Sequence, residues 1–179
     1  LESFDVARRA DPGEWDVAPI LVSWAIGMDD WSLARELLEA RIGPAYSRND
    51  ANSRGHLLRR ELEVETWAGR LDAARAFANA AVEQAESLRQ EPAIATARAR
   101  RALVAALAGE LDDAEREGEA AAGAAEGLGI LQIRCAAQST LIVTAAQRGA
   151  WARADELATE TTRELDAAGD IDHTNYRFQ

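Results

Sequence analysis

The sequence predicts an all-α fold, a right-handed solenoid of antiparallel helix pairs with a repeat of about 40 residues. Three recurring slots support this prediction: a large apolar slot, a small slot three positions later, and a turn slot two positions before the apolar one. They are occupied, in that order, by Trp31, Leu71, Leu111 and Trp151, by Ala34, Ala74, Ala114 and Ala154, and by Asp29, Gly69, Gly109 and Gly149. A fixed period of this length is typical of proteins whose repeats bury their apolar faces against their neighbours.

Composition favours helices over strands. Alanine, the best helix former, supplies 40 of the 179 residues, and only 4 residues are proline. Runs of valine, isoleucine and threonine, which favour strands, are few. An apolar fraction of 47% in a chain of this length suffices for the core of a single domain, so we expect one repeat domain over residues 1–179.

Each repeat predicts two helices, and the third repeat shows why. Pro92 suits the first turn of a helix, and Gly109 suits a left-handed residue that ends it. Asp112 and Asp113 then lie near the N-terminus of the next helix, where carboxylates are favoured by the helix dipole. The predicted first helices are 12–28, 52–68, 92–108 and 132–148; the second helices are 30–45, 70–89, 110–128 and 150–168; the repeats lie near 12–45, 52–89, 92–128 and 132–168.

Beyond the four repeats, we expect 1–11 to be the end of an earlier second helix and 170–179 the start of another first helix. Both ends therefore look cut from a longer protein. In the first repeat the turn glycine has been lost, and Asp29 stands in its slot.

Charge and cysteine usage exclude several classes. The net charge is −11, and all 20 basic residues are arginine, which argues against nucleic-acid binding by the domain. Cys135 is the only cysteine, so no intrachain disulfide can form, which fits a reducing cytoplasm. The first ten residues carry four charges, unlike a signal peptide, and no apolar run reaches the length of a membrane-spanning helix. We expect a cytoplasmic protein.

The turn motif Gly-x-Leu-Asp-x-Ala, with a second small residue seven positions later, resembles the tetratricopeptide repeat. Ala74 is followed in this way by Ala81, and Ala114 by Ala121. That family has a period of about 34 residues, so the longer period here implies longer helices. The aromatic, Leu-Gly and Tyr signature of its first helix is absent around Leu58. The resemblance implies that first helices line a concave binding face.

The alanine- and arginine-rich repeats, together with 164–178, are similar to the helical arrays of large ATP-binding LuxR-type regulators of actinobacteria. In that family an NTPase domain precedes the array and a helix-turn-helix domain follows it. This sequence shows neither a helix-turn-helix domain nor a phosphate-binding loop, and it has no lysine to supply one. The resemblance therefore implies a sensor or interaction array without enzymatic activity or a cofactor. The alternative is a tetratricopeptide-like adaptor in an unrelated assembly; an enzyme on a helical scaffold is a third class.

The predicted first helices are rich in arginine. Segment 92–108 carries Arg98, Arg100 and Arg101 with no acid. Segment 132–148 carries Arg134 and Arg148 with no acid. If these helices line the groove, it is locally basic and suits a small anionic inducer or an acidic protein or peptide partner, because arginine recognises carboxylates and phosphates in a bidentate manner. The candidate binding residues are Arg98, Arg101, Arg134, Arg60 and Trp67.

The structural alternative is that the arginines pair within the stack. Glu61 occupies the slot of Arg101 one repeat earlier, and Glu63 and Glu65 lie near that of Arg100. Both interpretations predict the same residue types, so the sequence leaves them open.

The remaining chemical groups form no recognisable site. His56 and His173 belong to no set of spaced metal ligands, so no metal is expected, and no motif supports a catalytic group. Cys135 shares its slot with Gly55 and Ala95, which predicts a buried structural thiol. Trp24 shares its slot with Val64 and Val104, and Trp31 and Trp151 share theirs with Leu71 and Leu111, so these three side chains are predicted to be core.

Overall fold

The computed structural model describes residues 18–47 and 51–168, and every regular element in these ranges is an α-helix. The eight helices described are α1 (Ala18–Gly27), α2 (Trp31–Ser47), α3 (Ala51–Trp67), α4 (Leu71–Ser87), α5 (Glu91–Leu107), α6 (Leu111–Leu128), α7 (Leu131–Gln147) and α8 (Trp151–Ala167). From α2 onward, each helix begins within one position of its predicted start and ends within two of its predicted end. The all-α prediction is confirmed. Residues 1–17 and 169–179, with the helix ends predicted there and His173, lie outside the described ranges.

A single backbone turn recurs between the helices. After α5, Gly109 adopts a left-handed φ of +78°. Its N–H donates to the carbonyl of Ala106 at 3.1 Å, and the N–H of Glu110 donates to that of Ala105 at 2.9 Å. This pair of bonds is the Schellman motif, which satisfies the last carbonyls of a helix. The same two bonds form at the turns centred on residues 29, 69, 89, 129 and 149.

Two of these turns use a residue other than glycine. Asp29 has φ +56° and Arg89 has φ +54°, although left-handed backbone strains any side chain with a Cβ. The first repeat has therefore kept the turn despite losing its glycine. The strain of the left-handed backbone at Asp29 is offset nearby. The Asp30 carboxylate accepts a hydrogen bond from the N–H of Leu33 at 3.0 Å and caps α2. Arg89 and Gly129 belong to a second series of turns, halfway between those of the turn slot, and only Gly129 carries a glycine signal in the sequence.

The contacts of the chain group into two compact units, Leu1–Phe77 and Ala78–Gln179. In the N-terminal unit, α2 packs against α1 and α3, and α1 also contacts α3. Their shared core is aliphatic, and Trp31, which is partly buried, packs against it as the sequence predicts. Its buried members are Val22, Ala25, Ala34, Leu38, Leu57 and Val64.

In the C-terminal unit, consecutive helices from α5 to α8 pack against each other, and α5 also packs against α7. The core is built largely of alanine, with Ala99, Ala121 and Ala137 in one cluster. Small residues let these helices approach closely: a Cβ added to Gly118 on α6 would lie 2.8 Å from Cδ2 of Leu141 on α7. The small slot is buried throughout, with Ala34, Ala74 and Ala114 at 0% exposure and Ala154 at 8%.

The prediction that Trp24 and Trp151 are core is wrong. Trp24 is 45% exposed and Trp151 is 70% exposed, whereas Val64 and Val104, which share the slot of Trp24, are almost fully buried. The slot of Trp151 is not fully buried in the other repeats either, since Trp31, Leu71 and Leu111 are partly buried. Trp24 lies on the first helix that the structure describes and Trp151 on the last.

Candidate functional site

In the C-terminal unit, first helices α5 and α7 lie side by side and share one stripe of exposed or partly exposed side chains. Its members are three or four positions apart on α5 and four or seven positions apart on α7, which keeps them on one side of each helix. We call it the first-helix strip; its members are Thr96, Arg100, Leu103 and Leu107 on α5 and Gln132, Ala136, Val143 and Gln147 on α7. Leu107 and Val143 are its exposed large aliphatic side chains, at 42% and 41%. The strip is partly apolar, and Arg100 is its single charged member.

Two of the arginines predicted for this surface contact second helices instead. The Arg101 guanidinium donates to Glu117 on α6 at 2.5 Å, and that of Arg98 donates to Glu86 on α4 at 3.3 Å. Because each residue advances an α-helix by ~100°, Arg98 and Arg101 lie on other sides of α5 than Leu103. Their charges are therefore directed toward neighbouring carboxylates and away from the strip.

Arg134 on α7 lies among three carboxylates. Its guanidinium is 2.5 Å from Glu164, 3.5 Å from Glu160 and 3.7 Å from Glu126. The Arg134 side chain is only 22% exposed. This cluster joins α7 to both of its second-helix neighbours, α6 and α8. It places three negative carboxylates around one positive guanidinium.

The sequence suggested Glu63 and Glu65 as partners within the stack. In the structure, both contact other arginines. Glu63 accepts a hydrogen bond from Arg60, one turn earlier on α3, at 2.7 Å. Glu65 is bound by Arg35 at 2.8 Å and also by Arg70. Arg60 thus forms a local pair on its own helix.

Trp67 ends α3 in the N-terminal unit and is 49% exposed. Its slot is that of Leu107 one repeat later and of Gln147 two repeats later, both in the first-helix strip. The candidate residue Trp67 therefore has the accessibility that a binding side chain needs. The arginines 98, 101 and 134 belong to the C-terminal unit, so Trp67 is a candidate in a different unit from theirs.

An acidic cluster between α2 and α3 was missed by the sequence reasoning. Burial opposes ionisation of Glu65, but hydrogen bonds from Arg70 and Arg35 outweigh it and lower its pKa. Glu61, one turn earlier, has its pKa raised to about 7 by burial and by the nearby charges of Glu65 and Glu39. The only signal in the sequence was a pair of glutamates four positions apart on a first helix.

Cys135 is buried at 5% exposure, as predicted. Burial and the nearby Glu164 carboxylate raise the pKa of its thiol, which suppresses the reactive thiolate. Near it on α7, Gln138 is 4% exposed, and its side-chain oxygen has no hydrogen-bond partner among the described residues.

An open depression of about 490 Å³ lies at the turn between α5 and α6. It is lined by Gly109, Glu110, Leu111, Asp112, Asp113 and Arg148. Arg148 already binds two acids of α6, Asp112 at 2.5 Å and Glu115 at 3.2 Å. Within residues 18–47 and 51–168, no group of three or more His, Cys, Asp and Glu side chains is arranged to hold a metal ion.

None of the described helices combines the length and apolar character needed to cross a membrane. In comparisons with known proteins, no protein-family model matches the chain and no curated protein is significantly similar to it.

Proposed function

We propose that this chain is a non-enzymatic helical-repeat interaction domain that binds a protein or peptide on its first-helix strip. The observation that carries the proposal is the composition of that strip. Only Arg100 among its members is charged, although 28% of the chain is charged, and two of its aliphatic residues are more than 40% exposed. Exposed aliphatic side chains with few charges, and arginine as the exception, are typical of the centre of a protein–protein interface.

A small anionic inducer is less well supported by the same geometry. Arg98, Arg101 and Arg134 each have a carboxylate partner within 3.5 Å. An anion would have to displace that carboxylate and leave it unpaired, which costs free energy where the carboxylate is partly buried. A peptide bound on the strip leaves these pairs intact.

The biological setting we propose is a LuxR-type transcriptional regulator in which the repeats act as a signal-sensing array in the cytoplasm. The support is the resemblance of the repeats to those arrays. An adaptor in an unrelated assembly uses the same strip and the same type of partner. The full-length gene separates the two: an upstream NTPase motif and a downstream helix-turn-helix favour the regulator, and their absence favours the adaptor.

A peptide-display library panned against the intact chain tests the site. We expect selected peptides to lose roughly tenfold or more in affinity against Leu107→Glu and against Val143→Glu. Leu128→Glu is the matched control, because Leu128 is 41% exposed but lies on α6, outside the strip. Peptides that bind both strip variants with unchanged affinity, but lose affinity for Arg98→Ala and Arg134→Ala, would favour anion recognition instead.

A further inference from the structure

The first-helix strip changes in character along its length. Its large aliphatic members lie toward the C-terminal ends of the two helices: Leu103 and Leu107 on α5 and Val143 on α7. Toward the N-terminal ends, the strip holds alanine and polar side chains: Thr96, Arg100, Gln132 and Ala136. The apolar part of a bound peptide therefore belongs at one end of the strip.

An acidic depression adjoins that aliphatic end. Gly109, two positions after Leu107, and Arg148, one position after Gln147, both line the open depression of about 490 Å³. The C-terminal ends of α5 and α7 therefore meet at its wall. The other lining residues are Glu110, Leu111, Asp112 and Asp113. Three acidic residues thus line this space beside one arginine.

Arg148 does not neutralise the depression. Its guanidinium is shared between Asp112 at 2.5 Å and Glu115 at 3.2 Å. Asp113 contacts Arg116 at 2.6 Å. Three carboxylates thus share two arginines, and negative charge is in excess. The Asp112 side chain is 94% exposed. Because an ionised carboxylate has about four acceptor sites, it keeps sites that a bound peptide can reach.

We propose, resting on the peptide binding proposed above, that the peptide carries a basic side chain next to its aliphatic segment. The aliphatic segment covers Leu103, Leu107 and Val143. The lysine or arginine side chain enters the depression and donates charge-assisted hydrogen bonds to Asp112 and Asp113. The partner is thus basic at this point, opposite in sign to the acidic partner expected from the arginine content of the sequence.

Charge elsewhere in the chain favours the same partner and sets its direction. A net charge of −11 attracts a basic peptide and repels an acidic one. Arg100 lies seven positions before Leu107 on α5, about 10 Å along the helix axis. A second basic residue at that end of the aliphatic segment would approach a like charge. We therefore expect lysine or arginine on one side of the aliphatic segment only.

Peptide selection followed by binding kinetics tests the inference. Peptides selected from a display library on the intact chain are sorted by their loss of affinity for the double variant Leu107→Ala and Val143→Ala, which leaves the charge unchanged. Among these strip-dependent peptides, we expect lysine and arginine to be enriched on one side of the aliphatic segment. Their association rate constants at low ionic strength should fall roughly threefold to tenfold for the double variant Asp112→Asn and Asp113→Asn, because charges at the edge of an interface act mainly on association.

The double variant Glu119→Gln and Glu126→Gln is the matched control, because it removes two exposed acids of α6 outside the depression and changes the net charge equally. Equal decreases in the two acidic variants overturn the proposal, since net charge alone then explains the rate. Strip-dependent peptides without basic enrichment also overturn it, but leave the strip as a binding site. Selected peptides whose affinity is unchanged by Leu107→Ala and Val143→Ala overturn the strip itself. The enrichment is measured on the wild-type chain, so it is decisive even where a variant folds poorly.

Discussion

The guanidinium of Arg101 donates a hydrogen bond at 2.5 Å to the carboxylate of Glu117, and this pair ties first helix α5 to second helix α6. The Glu117 side chain is only 12% exposed, and it also lies 3.6 Å from the more exposed Arg116. The pair explains why an arginine on a first helix does not make the neighbouring surface basic.

Arg101→Ala is expected to destabilise the fold by about 1–3 kcal/mol, because it removes the closest partner of a largely buried carboxylate. The free energy of unfolding in urea measures the change. Arg98→Ala is the matched control: its partner, Glu86, is 48% exposed, so we expect a loss below about 0.5 kcal/mol. Equal losses from the two variants would contradict this account of the pair.

Arg89→Gly is expected to stabilise the protein by about 1 kcal/mol, because Arg89 adopts a left-handed φ of +54° that glycine adopts without strain. Asp29→Gly should act in the same direction. Gly109→Ala is the reverse experiment, and it should cost about 1 kcal/mol at a turn with the same hydrogen bonds. Thermal melts of the three variants give the sign directly, and a destabilised Arg89→Gly would count against the strained turn.

Two glycines within α6 should respond differently to alanine. Gly123→Ala adds a methyl group with nothing within 4 Å, so we expect the gain of about 0.5–1 kcal/mol that alanine has over glycine in a helix. Gly118→Ala places its methyl group 2.8 Å from Leu141, which must move. The Gly118→Ala chain should therefore be less stable than the Gly123→Ala chain. Adding Leu141→Ala to both should narrow the difference, since the obstructing side chain is then gone.

The stability of the N-terminal unit should fall as pH rises through neutrality. The pKa of Glu61 is about 7 in the folded chain, whereas the unfolded chain has the ordinary pKa of 4.5. The unfolded state therefore binds fewer protons between these values, and each rise in pH in that window favours unfolding. We expect a loss of roughly 1–3 kcal/mol between pH 5 and 8, attenuated by the remaining exposure of the side chain.

Glu61→Gln removes the titrating group and should flatten this pH profile while raising stability at pH 8. Urea unfolding at a series of pH values measures both effects. Glu63→Gln is the control, because it removes a carboxylate from the same helix that is not among the groups that raise the pKa of Glu61. An unchanged profile in Glu61→Gln would assign the pH dependence to other groups.

The helices could be predicted from the sequence because their ends are marked locally. A glycine in the turn slot or a proline at a helix start acts through its own backbone conformation, whatever the rest of the chain does. The turn at Arg89 was not predicted, because arginine gives no local signal of a left-handed backbone. Its conformation follows from the helices on either side.

The candidate site was harder to predict because a one-dimensional slot does not say which side of a helix meets which neighbour. The predicted arginines do lie on first helices. However, Arg98, Arg101 and Arg134 contact carboxylates on neighbouring second helices. The burial of Trp24 and Trp151 was also predicted wrongly. The slot of Trp24 is buried at Val64 and Val104 but not on α1, and the slot of Trp151 is only partly buried at Leu71 and Leu111. The burial of Cys135 was predicted correctly.

The recurring turn also bears on how such a protein changes over evolutionary time. Helices α2 to α8 begin at a constant interval, at positions 31, 51, 71, 91, 111, 131 and 151. The turns that the structure describes between helices close with the same two backbone hydrogen bonds. A duplication or deletion of one whole repeat would therefore rejoin the chain at an equivalent turn, without a new loop. The length of the array can change in whole steps, and with it the number of side chains it presents to a partner.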